Sequence, residues 1–313
     1  TALTSLYCHY NQLTSLDVSA NTALQELWCN SNQLTRLDVS ANTALTELRC
    51  YYNQLNSLNV KNGNNALITD FNAFYNPALS CITVSDVAYA EANWTNIDQG
   101  VIFSEGGCNV YIPDANFKAA LVGNSSINTN GDAEIQYSEA ESYRSGIYIP
   151  NLNITDLTGL GAFTSISELD CSYNQLSTLD LRKNTALMVV YCQNNQLGSL
   201  YLRTVVPLEY LVCSSNQLTS LDLSQNTRLL ALDCSSNQLS SLDFYANTAL
   251  TDLNCSYNQL SSLDLSRNTA LEGLFCHFNQ LTNLDASGSK VLRWINCSSN
   301  QLTRFNPGSS IAL

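Results

Sequence analysis

Basic residues are scarce in this sequence. Only 13 Lys and Arg stand against 26 Asp and Glu, so the formal net charge is −13. Proteins that bind nucleic acid or anionic membranes need clustered basic residues, because these residues neutralise phosphates. The composition therefore argues against nucleic acid and anionic membrane surfaces as partners.

Long apolar runs and catalytic signatures are missing as well. No apolar run approaches the roughly 18–20 residues that a membrane span requires, so we expect no membrane insertion. The two histidines, His9 and His277, each directly follow a cysteine of a repeated unit. The sequence shows no nucleophile elbow, phosphate-binding loop or cluster of metal ligands. These absences favour a protein that is not an enzyme.

What the sequence has in abundance is a repeated unit of 21 residues. The unit reads Leu-x-x-Leu-x-Cys-x-x-Asn-Gln-Leu-x-x-Leu-Asp-Leu-Ser-x-Asn-Thr-Ala. Ten of the 12 cysteines share one position in it, namely Cys8, Cys29, Cys50, Cys171, Cys192, Cys213, Cys234, Cys255, Cys276 and Cys297. We interpret these cysteines as small apolar core residues. Neighbouring thiols would point in the same direction from adjacent strands, which is poor geometry for disulfides.

The spacing within one unit predicts its local structure. Leu27 and Cys29 would face inward and Trp28 outward, as in a short strand, and Asn32 would lie where the chain turns. No single coil can bury its apolar face, so successive coils stack and share one core. Their strands would pair in parallel at a spacing of about 4.8 Å. The sequence therefore predicts a β-rich solenoid with short parallel strands on its concave face, plus a small helical insert.

This unit resembles the leucine-rich repeat, whose LxxLxLxxNxL segment it matches with Cys in place of the third Leu. The Asn-Thr-Ala-Leu repeats with Cys, the segment Pro113–Phe117 and the segment Asn93–Thr95 together resemble secreted and cell-surface leucine-rich-repeat proteins of Bacteroidetes bacteria. The resemblance implies a secreted or surface-exposed bacterial protein, often part of a larger adhesin-like chain.

Loss of the repeat register divides the chain into four predicted segments. Residues 1–76 form a first repeat block and residues 77–108 its C-terminal cap. Residues 109–146 form a helical linker and N-terminal cap, and residues 147–313 form a second repeat block. Cys81 and Cys108 stand outside the ladder of repeated cysteines, so we predict a disulfide between them. Such a bond would indicate an oxidising, extracytoplasmic location.

The segment Asn128–Glu139 resembles a calcium-binding loop of the EF-hand or dockerin type. The resemblance implies oxygen ligands from Asn128, Asn130, Asp132, Glu134 (its carbonyl), Gln136 (through water) and Glu139. Two departures weaken the match, since the first position is Asn rather than Asp and the sixth is Ala133 rather than Gly. We therefore expect a weak calcium site and no other cofactor. The alternative is a polar turn between two helices.

Outward-facing strand positions vary freely between units, whereas the core positions do not. The candidate ligand-binding residues on this face are Tyr7, Glu26, Trp28, Glu47, Tyr51, Tyr191, Tyr210, Phe275 and Trp294. Repeated exposure of large aromatic side chains is typical of interaction sites, although strand propensity alone also favours aromatic residues. The sequence thus predicts a binding module whose ligand is a protein. A glycan-binding module and a passive structural stalk are the alternatives.

Overall fold

The structure, a computed structural model, describes residues 2–202 and 204–308. The chain forms two compact units, Thr1–Asn109 and Val110–Leu313. Both consist of short parallel strands in stacked coils, as the repeat predicts. The predicted β-rich solenoid is therefore confirmed.

In the first unit, two parallel sheets lie on opposite sides of each coil. The first sheet contains β1 (Ser5–Tyr7), β2 (Glu26–Trp28), β4 (Glu47–Arg49) and β6 (Asp70–Asn72), in that order. The second contains β3 (Arg36–Asp38), β5 (Ser57–Asn59), β7 (Cys81–Thr83) and β8 (Ile102–Ser104). A 3-10 turn at Asn65–Leu67 precedes β6. Each strand is only three residues long because the chain must turn twice within each unit of the repeat.

A helix and a disulfide lie at the C-terminal end of the first unit. Helix α1 (Val87–Asn93) begins at Asp86, whose Oδ1 accepts from the backbone N–H of Tyr89. Trp94 follows the helix and stacks on Phe71, with ring centroids 4.2 Å apart. A disulfide joins Cys81 to Cys108, whose Cα atoms are 5.7 Å apart. These contacts cover core that the last coil would otherwise expose.

Two helices precede the coils of the second unit. Helix α2 (Ala115–Val122) is capped by Asp114, whose Oδ1 accepts from the backbone N–H of Phe117. The Oδ2 of Asp114 accepts from the backbone N–H of Thr155. Helix α3 (Tyr137–Ser142) follows the polar loop. Phe117, Leu121 and Ile135 belong to the same buried cluster as the leucines of the repeats. This segment therefore packs as part of the second unit.

The second unit carries one eight-stranded parallel sheet. Its strands are β9 (Ile147–Tyr148), β10 (Glu168–Asp170), β12 (Val189–Tyr191), β14 (Tyr210–Val212), β15 (Ala231–Asp233), β16 (Asp252–Asn254), β17 (Gly273–Phe275) and β19 (Trp294–Asn296). On the other side, β11 (Thr178–Asp180) pairs with β13 (Ser199–Tyr201), and β18 (Asn283–Asp285) pairs with β20 (Arg304–Asn306). A 3-10 turn at Leu160–Ala162 precedes β10.

The repeated polar residues satisfy the backbone between coils. The Nδ2 of Asn216 donates to the carbonyls of Cys213 in its own coil and Cys192 in the preceding one, and its Oδ1 accepts from Leu197 N–H. A second set of asparagines, including Asn42 and Asn247, donates to carbonyls of the preceding coil in the same way. The repeated aspartates bond to the backbone two residues later, as Asp38 does to Ser40. These side chains are thus structural.

Candidate binding face

The outward side chains of the first sheet form two rows in the first unit. In β1, β2, β4 and β6 the central residue points into the core, and the residues on either side of it point outward. The strand register aligns Ser5, Glu26, Glu47 and Asp70 in one row. It aligns Tyr7, Trp28, Arg49 and Asn72 in the other. We call this surface the strand face.

A diagonal set of hydrogen bonds connects the two rows. The hydroxyl of Tyr7 donates to Glu26, and the indole Nε1 of Trp28 donates to Glu47 Oε2 over 3.1 Å. The guanidinium of Arg49 donates from Nε to Asp70 Oδ2 over 2.9 Å. In each case a donor in one coil contacts the carboxylate of the next coil. The three acids are therefore held in place rather than left free in solvent.

Ring contacts run across the same surface. The rings of Tyr7 and Trp28 lie 4.8 Å apart at a tilt of 55°. On the other side, the guanidinium carbon of Arg49 lies 4.1 Å from the centre of the Trp28 ring. A cation over an exposed aromatic ring contributes about 0.5–1 kcal/mol. Trp28 is thus fixed between its two neighbours, so little side-chain entropy remains to be lost when a ligand binds.

Two of these hydrogen bonds also stabilise the protonated forms of their donors. The bond to Glu26 raises the pKa of Tyr7 above its usual value. The bond to Asp70 raises the pKa of Arg49. At neutral pH the strand face therefore presents a neutral phenol and a charged guanidinium beside three acidic side chains.

Sequence reasoning singled out Tyr7, Glu26, Trp28 and Glu47, and the structure brings these four together. It missed Arg49 and Asp70, which complete the diagonal. The sequence does contain a pattern that could have found them. In all three pairs, the last residue of one strand is a hydrogen-bond donor and the first residue of the next strand in the sheet is an acid. Tyr51 lies in the turn after β4, where its ring contacts that of Tyr52 at 5.7 Å. It is therefore beside the strand face rather than on it.

The four candidate aromatic residues of the second unit are more dispersed. The register places Tyr210 beside Val189 and places Tyr191 beside Val212. Phe275 and Trp294 lie on neighbouring strands, 42% and 58% exposed. No ring contact within residues 2–202 and 204–308 joins these four side chains to one another. The Tyr148 hydroxyl does donate to Glu168, over 2.5 Å, which repeats the donor–acid diagonal in this unit.

The loop Asn128–Glu139 is held by hydrogen bonds of its own. Glu139 is buried, and its carboxylate accepts from the backbone N–H groups of Thr129 and Gln136. The side-chain Nδ2 of Asn130 donates to both Asp132 Oδ2 and Gln136 Oε1, each over 2.9 Å. Oxygens suited to a hard cation are present, but an amide nitrogen lies between two of them. The Nε2 of Gln136 donates to Asp132 Oδ2 as well, so the donor set fits calcium only if both amide side chains rotate.

In the part of the chain that the structure describes, no group of three or more His, Cys, Asp or Glu side chains is arranged to hold a metal ion. None of the helices in that part combines the length and the apolar character that crossing a membrane requires.

The family model for leucine-rich repeats matches residues 1–42 of the chain. None of the curated proteins compared with the chain matches it. Among solved structures, an internalin C2 of Listeria monocytogenes aligns with a TM-score of 0.55 and 19% identity, covering 61% of this chain and 86% of that one. Internalin inlF of the same organism aligns with a TM-score of 0.51 and 22% identity, covering 99% of this chain and 84% of that one.

A third similar structure is the functional domain of InlJ from Listeria monocytogenes. It aligns with a TM-score of 0.43 and 26% identity over 96% of this chain. The chain spans about half the length of that structure, 54% of it. The parallel coils, the repeat pattern and the match at residues 1–42 agree with one another. By its repeats and its parallel coils, the chain has the leucine-rich-repeat fold.

Proposed function

We propose that this protein is a non-catalytic binding module that recognises a protein ligand through the strand face of its first unit. The observation that carries the proposal is the diagonal of Tyr7–Glu26, Trp28–Glu47 and Arg49–Asp70 pairs. Tyr, Trp and Arg are the side chains most enriched among residues that dominate protein–protein binding energy. Here all three lie side by side on one sheet and are held in place by hydrogen bonds.

A glycan ligand fits this surface less well. Sugar rings bind proteins mainly by stacking on an open aromatic face. Arg49 covers one side of Trp28, and the tilted ring of Tyr7 lies against it as well. The carboxylates that would accept bonds from sugar hydroxyls already accept from Tyr7, Trp28 and Arg49. A protein ligand with basic side chains at its rim complements the excess of carboxylates.

The proposed location is the outside of a bacterial cell, either secreted or attached to its surface. The disulfide between Cys81 and Cys108 supports this, because disulfides persist in oxidising compartments. Calcium is proposed only as a weak ligand of Asn128–Glu139. A stalk without any ligand is the alternative that the following experiment addresses.

The test is a selection of binders from a random peptide library displayed on phage, with the wild-type chain as the target. We expect selected peptides to lose at least tenfold in affinity for Trp28→Ala and for Glu47→Gln. The matched control is Trp294→Ala, which removes an exposed tryptophan from the corresponding sheet of the second unit. Peptides that bind all variants equally would refute the strand face as the site. Failure to select any peptide would favour the stalk, and binding to a glycan array would favour a sugar ligand.

A further inference from the structure

A second surface, distinct from the strand face, lies at the turn that follows each strand of the first sheet. Two residues after the repeated cysteine position, the backbone adopts a left-handed conformation in every regular coil. The residues with this conformation are Tyr10, Ser31, Tyr52 and Tyr75 in the first unit, and Tyr173, Asn194, Ser215, Ser236, Tyr257, Phe278 and Ser299 in the second. We call this row the turn ridge.

Aromatic side chains on the turn ridge are not explained by the backbone. Asn tolerates a left-handed conformation better than bulky residues do, so an aromatic residue gains nothing there from its own φ angle. What the rings gain is contact with one another. Tyr52 stacks on Tyr75 with centroids 4.3 Å apart and planes within 9°. Tyr257 stacks on Phe278 at 4.4 Å and 16°. Neighbouring rings on the turn ridge thus form a face-to-face stack in both units.

The rings also share one orientation relative to the preceding side chain. His9 and Tyr10 meet edge to face at 5.4 Å and 71°. Tyr51 and Tyr52 meet at 5.7 Å and 68°, and the same arrangement recurs in the second unit. Tyr10 thus meets His9 at nearly the angle at which Tyr52 meets Tyr51, and the coil of Ser31 lies between Tyr10 and Tyr52.

The stack of the first unit lacks one ring. Ser31 occupies the position where a ring would lie between Tyr10 and Tyr52. Its backbone N–H donates to Tyr51 as that of Tyr10 donates to Asn30, so the coil spacing is undisturbed. Two coil spacings amount to about 9–10 Å. A ring midway would lie about 4.7 Å from each wall, within the usual range for aromatic pairs. Tyr10 is 75% exposed and Tyr52 is 52% exposed, so the slot opens to solvent.

We propose that the slot above Ser31, between Tyr10 and Tyr52, binds an aromatic side chain of the protein ligand. The inference rests on the proposed function, because it assigns one contact of that ligand. Ring-on-ring stacking already occurs at this ridge position in both units. In the coil between the two rings, the amide of the buried Asn30 lies 3.5 Å from the Ser31 hydroxyl. On the second unit's ridge, Tyr173 and Tyr257 are four coils apart, which is too far for one ring to bridge.

The experiment is a titration with p-cresol, an analogue of the tyrosine side chain, followed by amide-resolved NMR. We expect shifts at residues 9–11, 30–32 and 51–53 that saturate at millimolar concentration. In Ser31→Tyr the chain's own ring fills the slot, so these shifts should disappear while the melting temperature rises. Ser236→Tyr is the matched control. It adds a ring beside Tyr257 without filling a gap, so it should leave the p-cresol shifts unchanged.

Tyr10→Ala removes one wall and should weaken p-cresol binding at least fivefold, which keeps the test valid if Ser31→Tyr does not fold. Shifts that persist in Ser31→Tyr, or no shifts at these residues in the wild type, would overturn the proposal. The proposal would also be overturned if methyl β-D-glucopyranoside, and not p-cresol, shifted the signals of these amides. The titration needs no natural ligand. Its failure is therefore distinct from failure of the strand face, which is read from Trp28→Ala.

Discussion

The side-chain amide of Asn237 donates to the carbonyl oxygen of Cys213, in the preceding coil, over 3.0 Å. The same amide also donates to Cys234 in its own coil, and its Oδ1 accepts from Leu218 N–H. One buried side chain thus serves backbone groups of two coils at once. The coils of this protein are joined by such amides as well as by strand pairing and apolar contact.

Replacing Asn237 with Ala should therefore destabilise the second unit by about 3 kcal/mol, because several buried backbone groups lose their partners. The measurement is the free energy of unfolding in urea. Asn11→Ala is the control, since exposed Asn11 donates to carbonyls of its own coil, Cys8 and His9. The control should cost less than about 1 kcal/mol. Equal losses in the two variants would contradict the bridging role.

The cysteine ladder should make the protein sensitive to alkaline pH. Burial raises the pKa of Cys50 to about 12, against an unfolded value near 9. Above pH 9 the unfolded chain loses this proton while the folded chain keeps it, so stability falls as pH rises. The contribution of Cys50 is fully present below pH 9 and is lost between pH 9 and 12. The slope is about 1.4 kcal/mol per pH unit for each buried thiol.

The check is the free energy of unfolding at pH 8, 9 and 10 under reducing agent. Cys50→Ala should lessen the slope between pH 9 and 10 by up to about 1.4 kcal/mol per pH unit. Val60→Ala truncates a buried side chain in the same unit without removing a titrating group, so it should lower stability equally at each pH. An unchanged slope in Cys50→Ala would show that its thiol does not resist ionisation.

Reduction of the disulfide should weaken the first unit and leave the second unaffected. Cys81 and Cys108 enclose a loop with a sequence separation of 27, within the first unit. A cross-link of that length contributes about 3.5 kcal/mol in the chain-entropy description. The readout is hydrogen exchange with and without dithiothreitol. Faster exchange confined to residues 2–109 is expected, and uniform acceleration of both units would count against it.

The polar loop offers a gain-of-function test for calcium. The Asn130 amide nitrogen lies between Asp132 and Gln136, so Asn130→Asp would replace a hydrogen-bond donor with a third carboxylate. We expect the wild type to bind calcium weakly, with a dissociation constant of about 1 mM, and Asn130→Asp to bind about tenfold more tightly. Isothermal calorimetry measures both. Asn116→Asp, which adds a carboxylate outside the loop, controls for net charge. If neither the wild type nor Asn130→Asp binds calcium, the segment is a structural turn only.

The architecture was predictable because the same positions recur in every coil. The alternation of Leu27, Trp28 and Cys29 fixes which side chains are buried, and each further unit repeats that information. The repeat also predicts parallel pairing, since only stacking can cover the apolar side of each coil.

The detail of both surfaces was less accessible. Tyr7–Glu26 and Trp28–Glu47 span 19 residues, whereas Arg49–Asp70 spans 21, because the third coil is longer. A search for donors and acids 19 residues apart therefore misses Arg49–Asp70. On the turn ridge, Tyr10 and Ser31 share one left-handed conformation although neither residue type predicts it. The sequence likewise does not show that the Asn130 amide points towards Asp132.

The regular strand register allows the number of repeats to change during evolution. Ser5 pairs with Glu26 and Glu26 with Glu47, each shifted by one whole repeat. Gaining or losing one repeat would therefore preserve every pairing while moving two surface features apart or together by about 4.8 Å. The length of the solenoid can thus change in steps of one coil. The distance between contacts can thus evolve independently of the contacts themselves.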